Sequence, residues 1–159
     1  MNQYERNLIA NVEAHGWQAT NVFDPKCGPS FSYSVGFPQT LGCPDCIIVG
    51  LTSEIMHHML WEIFHQIRKG ETLVAGARWD GLLSGDFKCV SLPIRPDVME
   101  SDYRLSSSEW YLRNVMKSDS PFEAFQIVWP SVHGHLYPWD SDCPIEVLEA
   151  QPVLGEAPE

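Results

Sequence analysis

The chain has 159 residues, a net charge of −11 at pH 7 and a hydrophobic share of 44%. This length suits one domain with its own hydrophobic core, and the composition is typical of a folded globular protein. The excess of acid argues against nucleic-acid and anionic-membrane partners, because no cationic surface is available to release counterions from phosphate. We therefore expect one globular domain over residues 1–150 and an acidic C-terminal tail at 151–159.

The start of the chain, MNQYERNLIANVEAHGW, has charged residues in its first turns and lacks the apolar segment of a signal peptide. No apolar run approaches the length that a membrane-spanning helix needs. We expect a cytosolic protein, in which the five cysteines are mainly free thiols unless a metal binds some of them.

The first third of the chain predicts a helix followed by a strand pair. Apolar residues recur at helical spacing over 4–15, and Gly16 follows as a stop signal. Residues 17–23 and 30–37 alternate as strands, and 24–29 is dense in turn formers. These segments predict a hairpin-like pair.

A buried strand and a long helix are predicted next. After a loop at 38–46, the run CIIVGL at 46–51 has the length and β-branching of a strand buried on both faces. Residues 53–69 then form one continuous apolar helical face, with Thr52 or Ser53 available as the N-cap.

Shorter elements fill the remainder of the chain. We predict extended pieces at 71–76, 77–83 and 86–94, a helix at 106–117, a strand at 122–130, and a short strand or helix at 145–150. Strands with segregated helices indicate an α+β fold, with an antiparallel sheet or a split-barrel-like core and two or three packed amphipathic helices.

The stretch GCPDC at 42–46 is the most distinctive local motif. A redox pair is disfavoured, because it precedes a strand and has no helix dipole to stabilise a thiolate. Half of a zinc site is the alternative, with Cys43 and Cys46 as ligands. The second half would come from Cys27, Cys89, Cys143, or the pair His133 and His135. A structural turn is the favoured interpretation.

Two stretches, FSYSVGFPQTLGCPDCIIVGL and FQIVWPSVHGHLYPWD, resemble a bacterial family known as domain of unknown function 4262. The similarity extends from GWQAT to PWD. The family name implies no activity and supplies no catalytic residues.

The order of elements around SYSVGF and IIVGL is also similar to flavin-binding split barrels of the flavin-reductase and pyridoxamine-oxidase type. That resemblance implies a cofactor phosphate near the strand pair and the loop that follows it. The residues of this chain that would correspond to the phosphate-binding residues of those barrels are Ser32, Ser34, Thr40, Thr52 and Ser53. Aromatic residues, Trp129 and Trp139 among them, are candidates for lining a pocket for a planar ligand.

Three functional hypotheses follow, and none of them establishes a reaction. The preferred one is a domain that binds a small ligand or cofactor in a split-barrel-like pocket, with Ser32, Ser34, Thr52, Trp129 and Trp139 as binding residues. The second is an acidic, non-catalytic interaction protein that binds a basic protein partner. The third is a zinc protein that uses Cys43, Cys46, His133 and His135. Flavin and zinc are thus the two cofactors that the sequence leaves open.

Overall fold

The computed structural model describes residues 1–23 and 28–158, so part of the predicted turn at 24–29, including Cys27, lies outside the described residues. Strands and helices alternate irregularly along this part of the chain. The helices are α1 (Gln3–His15), α2 (Phe37–Leu41), α3 (Ser53–Arg68), α4 (Pro96–Ser101), α5 (Ser106–Asn114) and α6 (Ile145–Ala150). The strands are β1 (Gln18–Val22), β2 (Phe31–Val35), β3 (Asp45–Val49), β4 (Arg78–Trp79), β5 (Cys89–Pro93) and β6 (Ala124–Val128).

The strands form one open sheet in the order β1-β2-β3-β6-β5-β4. Neighbouring strands are antiparallel except for β3 and β6, which run parallel. The α+β prediction is confirmed. The sheet is mixed rather than wholly antiparallel, and it does not close into a barrel, so the resemblance to split barrels is not confirmed.

The predicted N-terminal helix and hairpin are present. Asn2 and Glu5 form a capping box at the start of α1, and Gly16 ends the helix in the left-handed conformation at φ 89°. Strands β1 and β2 then pair antiparallel, with Gln18 opposite Val35.

Strand β3 is the centre of the core, and all five of its residues are buried. Cys46 and Ile48 point toward α3, which places its own apolar stripe on that face of the sheet. Ile47 and Val49 point to the opposite face, where α1, α4 and α5 pack. The prediction of a strand buried on both faces is therefore correct, because each face carries its own helical layer.

Some segments differ from their predicted structure. Of the extended piece predicted at 77–83, only Arg78–Trp79 is a strand. Part of the predicted loop at 38–46 forms the short helix α2, since Gly36 takes φ 106° and Pro38 supplies a favourable first-turn residue. The predicted extended piece at 71–76 lies outside the strands.

The segment expected to be a solvated tail contributes to the core. Gln151 and Leu154 are buried, and Gly155 forms a β-bridge with Ile94. Gly50 lets the end of α6 lie against the residue that follows β3, because its φ is 89° and a side chain at that position would collide with the carbonyl oxygen of Ala150. The chain is thus anchored to the sheet as far as residue 155.

Candidate functional site

The GCPDC motif forms the connection between α2 and β3. Cys43 is half-buried in the turn, whereas Cys46 is fully buried on β3 among the core residues that face α3. Burial raises the pKa of the Cys43 thiol to about 12 and holds the pKa of Cys46 well above its usual value. Both thiols therefore stay protonated at neutral pH, which suits a structural role.

The four predicted metal ligands are not brought together. His133 and His135 are exposed in the turn after β6, and the His135 ring lies 4.6 Å from the ring of Phe87. Over residues 1–23 and 28–158, no group of three or more His, Cys, Asp or Glu side chains has the arrangement of a metal site. Hence no zinc centre is assembled from Cys43, Cys46, His133 and His135.

Asp45, between the two cysteines, is the residue that organises this region. Its Oδ1 atom accepts hydrogen bonds from the Ser34 hydroxyl at 2.7 Å and the Phe37 backbone N–H at 3.0 Å. Its Oδ2 atom accepts from the Ser108 hydroxyl at 2.5 Å. One carboxyl group therefore connects β2, α2, β3 and α5, and we call Asp45, Ser34, Phe37 and Ser108 the Asp45 cluster.

The Asp45 carboxyl is fully buried, and desolvation raises its pKa to about 6, although hydrogen bonds from Ser108, Ser34 and the backbones of Phe37 and Gly36 favour the charged form. A perturbed carboxyl group is a frequent mark of an active site. Here, however, both oxygens are occupied by protein donors, and none of the described cavities reaches Asp45. We therefore interpret the cluster as a structural feature that connects elements of the fold.

The two serines predicted to bind a ligand are interior residues with protein partners. Ser34 donates to Asp45 and accepts from the backbone N–H of Cys46 at 3.0 Å. Ser32 is equally buried and donates to the side chain of Asn21. Neither serine lines any of the described cavities.

The remaining predicted ligand-binding residues lie elsewhere. The Thr52 side chain caps α3 by accepting from the backbone N–H of Ile55 at 3.2 Å. The Trp139 ring stacks on Tyr137 with centroids 5.1 Å apart. Trp129 lines a cavity, and its indole N–H donates to the Val49 carbonyl oxygen at 2.8 Å.

That cavity, which we call the apolar groove, lies between the start of α3 and the loops that precede β5 and follow β6. Its volume is about 470 Å³. Its lining is apolar except for Glu54, His58 and Ser84. The apolar lining residues are Leu51, Ile55, Leu82, Leu83, Phe87, Trp129, Pro130 and Val132.

A larger cavity of about 840 Å³ lies beside α4 and α5 and carries charged side chains. Glu109 pairs there with Arg104 at 3.7 Å and with Arg113 at 3.9 Å. Arg113 also donates to the carbonyl oxygens of Ser118 and Ser120. Because these charged groups already pair with other protein groups, they are less available to bind a ligand than the size of the cavity indicates.

The fold and its cavities define an α+β domain with one open mixed sheet, a helical layer on each face, and an apolar groove at one end of α3. The profile of the family described as Domain of unknown function (DUF4262) matches residues 11–144, so the chain belongs to that family. No curated protein and no solved structure is similar enough to the chain to count as a match.

Two expectations concern the surroundings of the protein. None of the described helices is both long enough and apolar enough to cross a membrane. The basic protein partner stays a prediction. At least one acid near the C-terminal end of the chain, Asp140, has a partner within the protein. The Asp140 carboxylate accepts from the backbone N–H of Tyr137 at 2.8 Å.

Sequence reasoning overlooked Asp45 and most of the apolar groove. The sequence analysis assigned no role to Asp45, although an acid at the first position of an apolar strand is a signal of a buried, partnered carboxyl group. The groove combines residues from three separate segments, and no local pattern marks them as neighbours.

Proposed function

We propose that this domain binds a small, largely apolar ligand in the apolar groove. The observation that carries the proposal is the exposure of Ile55 and Val132, which leave 41% and 72% of their surfaces in water beside this cavity. Apolar surface gains free energy when a partner removes it from water. Small-molecule sites are concave and mostly apolar, with volumes of roughly 300–1,000 Å³, and the groove meets both criteria.

The floor of the groove is held rigidly by the fold. Leu82 is completely buried, and the indole of Trp129 is fixed by its hydrogen bond to Val49. The side chain of Gln151 also exchanges two hydrogen bonds with the backbone of Trp129, at 2.9 and 2.8 Å. A pre-formed floor lowers the entropy cost of binding, which favours a ligand site over an accidental surface depression.

The polar lining residues restrict the ligand class. Glu54 presents a carboxylate, which only accepts hydrogen bonds when ionised, and His58 and Ser84 complete the polar set. The net charge of −11 disfavours an anion. The proposed ligand is therefore an apolar ring or chain with one hydrogen-bond donor, and it is neutral or cationic.

Binding of N-phenyl-1-naphthylamine tests this proposal, since this fluorescent probe is neutral, apolar and carries one N–H donor. Fluorescence titration should give saturable binding to the wild-type protein. Val132→Asp and Ile55→Asp should each weaken it by about tenfold or more, because a carboxylate loses solvation against an apolar ligand.

The matched control is Val74→Asp, which introduces the same carboxylate at an apolar side chain that is 49% exposed and lies outside the groove. Its probe affinity should stay within about twofold of wild type. Absence of saturable binding, or equal losses in all three variants, would contradict the proposed site.

A further inference from the structure

Another cavity beside α3 differs from the apolar groove in the chemistry of its lining. It lies between α1, β1 and α3 and has a volume of about 570 Å³. Two tryptophans, Trp17 and Trp61, line it together with His57 and His65. We call this cavity the Trp–His groove.

The groove has no side chain that selects a charged ligand. The chain has 21 acidic and 10 basic residues, yet none of the described residues that line this groove is Asp, Glu, Lys or Arg. Apart from its imidazoles, the polar lining consists of amides, Asn11 and Gln18 among them. Amides and imidazoles offer donors and acceptors together, which suits a neutral ligand with several hydroxyl groups.

Trp61 provides an exposed aromatic platform, because its side chain is 44% exposed although it sits in the middle of α3. The ring of His65 lies 4.1 Å from it and that of His58 lies 6.2 Å from it. These neighbours restrict the indole without burying it. The electron-rich face of an indole attracts the weakly positive C–H groups on one side of a sugar ring.

The opposite wall is fixed by packing. Trp17 is only 7% exposed and contacts Phe37, Phe64 and His57, with ring centroids 6.1, 6.1 and 5.4 Å away. The Asn11 side-chain amide donates to the Gln18 side-chain oxygen at 2.8 Å, which joins α1 to β1 at the edge of the groove. The site is therefore largely pre-formed, as binding a weakly held neutral ligand requires.

We propose that the Trp–His groove binds a neutral carbohydrate, with one sugar ring stacked on Trp61 and its hydroxyl groups hydrogen-bonded by the surrounding amides and imidazoles. This site is separate from the apolar groove and takes a ligand of opposite polarity. The proposal therefore does not depend on the proposed function.

Saturation-transfer difference NMR tests this proposal with maltose, cellobiose, methyl α-mannoside and N-acetylglucosamine as carbohydrate probes and adenosine as a planar probe. At least one carbohydrate should receive saturation from the wild-type protein. Trp61→Ala should weaken its affinity by about tenfold, the scale of one lost aromatic contact. The matched control is Tyr4→Ala, which truncates an aromatic side chain that is 51% exposed and lies outside the groove.

Thermal melting should show that Trp61→Ala remains folded. If it does not, Gln18→Leu provides a second test, because it keeps the size of the side chain and removes its hydrogen bonds, and it should also weaken binding. Three results would overturn the proposal: no transfer to any carbohydrate probe, undiminished transfer in the folded groove variants, or transfer to adenosine alone.

Discussion

The Asp45 cluster buries a polar side chain, whereas the apolar groove exposes apolar side chains to water. In the cluster, a carboxyl group lies fully buried, and protein hydrogen-bond donors contact both of its oxygens. In the groove, Ile55 and Val132 stay in water. A buried carboxyl group costs free energy unless every partner is present, and exposed apolar groups gain free energy only when something covers them.

The difference separates the part that holds the fold together from the part available for binding. The Asp45 cluster joins three strand and helix segments to β3, so its hydrogen bonds are satisfied within the chain. Two residues of the groove, Ile55 and Val132, pack only partly within the chain. Substitutions in the cluster should therefore change stability, whereas those in the groove should change binding.

The largest expected effect comes from Asp45→Ala. It leaves the donors of Ser34, Phe37 and Ser108 without their acceptor inside the protein, which should lower the free energy of unfolding by about 3–5 kcal/mol. Asp45→Asn is the matched control, because its amide oxygen can still accept and its NH₂ can donate to Ser108. Urea unfolding should place it within about 1 kcal/mol of wild type. Equal losses in the two variants would refute a hydrogen-bonding role.

The pH dependence of stability isolates the charge on Asp45. Its pKa is raised to about 6 in the folded protein from the ordinary value of 3.8, so the folded state binds the proton more tightly than the unfolded state. The stabilising effect of that proton is complete below the ordinary pKa and disappears as the pH rises through about 6.

Relative to Asp45→Asn, the wild-type protein should thus gain roughly 2 kcal/mol of unfolding free energy when the pH falls from about 8 to about 4. Urea unfolding of both proteins across this range measures the gain. If the unfolding free energies of the two proteins changed with pH in parallel, burial would not raise the pKa of Asp45.

A smaller loss is expected from Gln151→Ala, which tests whether the last residues belong to the folded domain. The substitution leaves the backbone N–H and C=O of Trp129 unpaired in a buried position. Thermal unfolding should show that the free energy of unfolding falls by about 2–3 kcal/mol. Glu156→Ala, at an exposed position in the same segment, should change stability by less than about 0.5 kcal/mol. If Gln151→Ala lowered the free energy of unfolding by as little as Glu156→Ala, residues 151–155 would not contribute to the folded domain.

The smallest effect on stability is expected in the groove. Ile55→Asp and Val132→Asp change side chains that already contact water, so each should shift the free energy of unfolding by about 0.5 kcal/mol or less. Denaturant unfolding of both variants checks this, and a loss of several kcal/mol would place these residues with the scaffold instead.

The sequence predicted those elements whose signals are local. The run CIIVGL was correctly predicted as a doubly buried strand. The sequence left the cap of α3 open between Thr52 and Ser53, two neighbouring residues, and the cap is Thr52. The role of Asp45 was missed, since its partner Ser108 is 63 residues away in the chain. The apolar groove was missed for the same reason, and of the five predicted ligand-binding residues only Trp129 lines it.

Methyl NMR of the wild-type protein with N-phenyl-1-naphthylamine tests the proposed binding function most directly, because it locates the ligand. We expect saturable shifts for the methyl groups of Ile55, Leu82, Leu83 and Val132, and no shifts for those of Leu8 and Val12 on the buried face of α1. Shifts at Ile94, which lines the larger charged cavity, or no saturable shift at all, would contradict it.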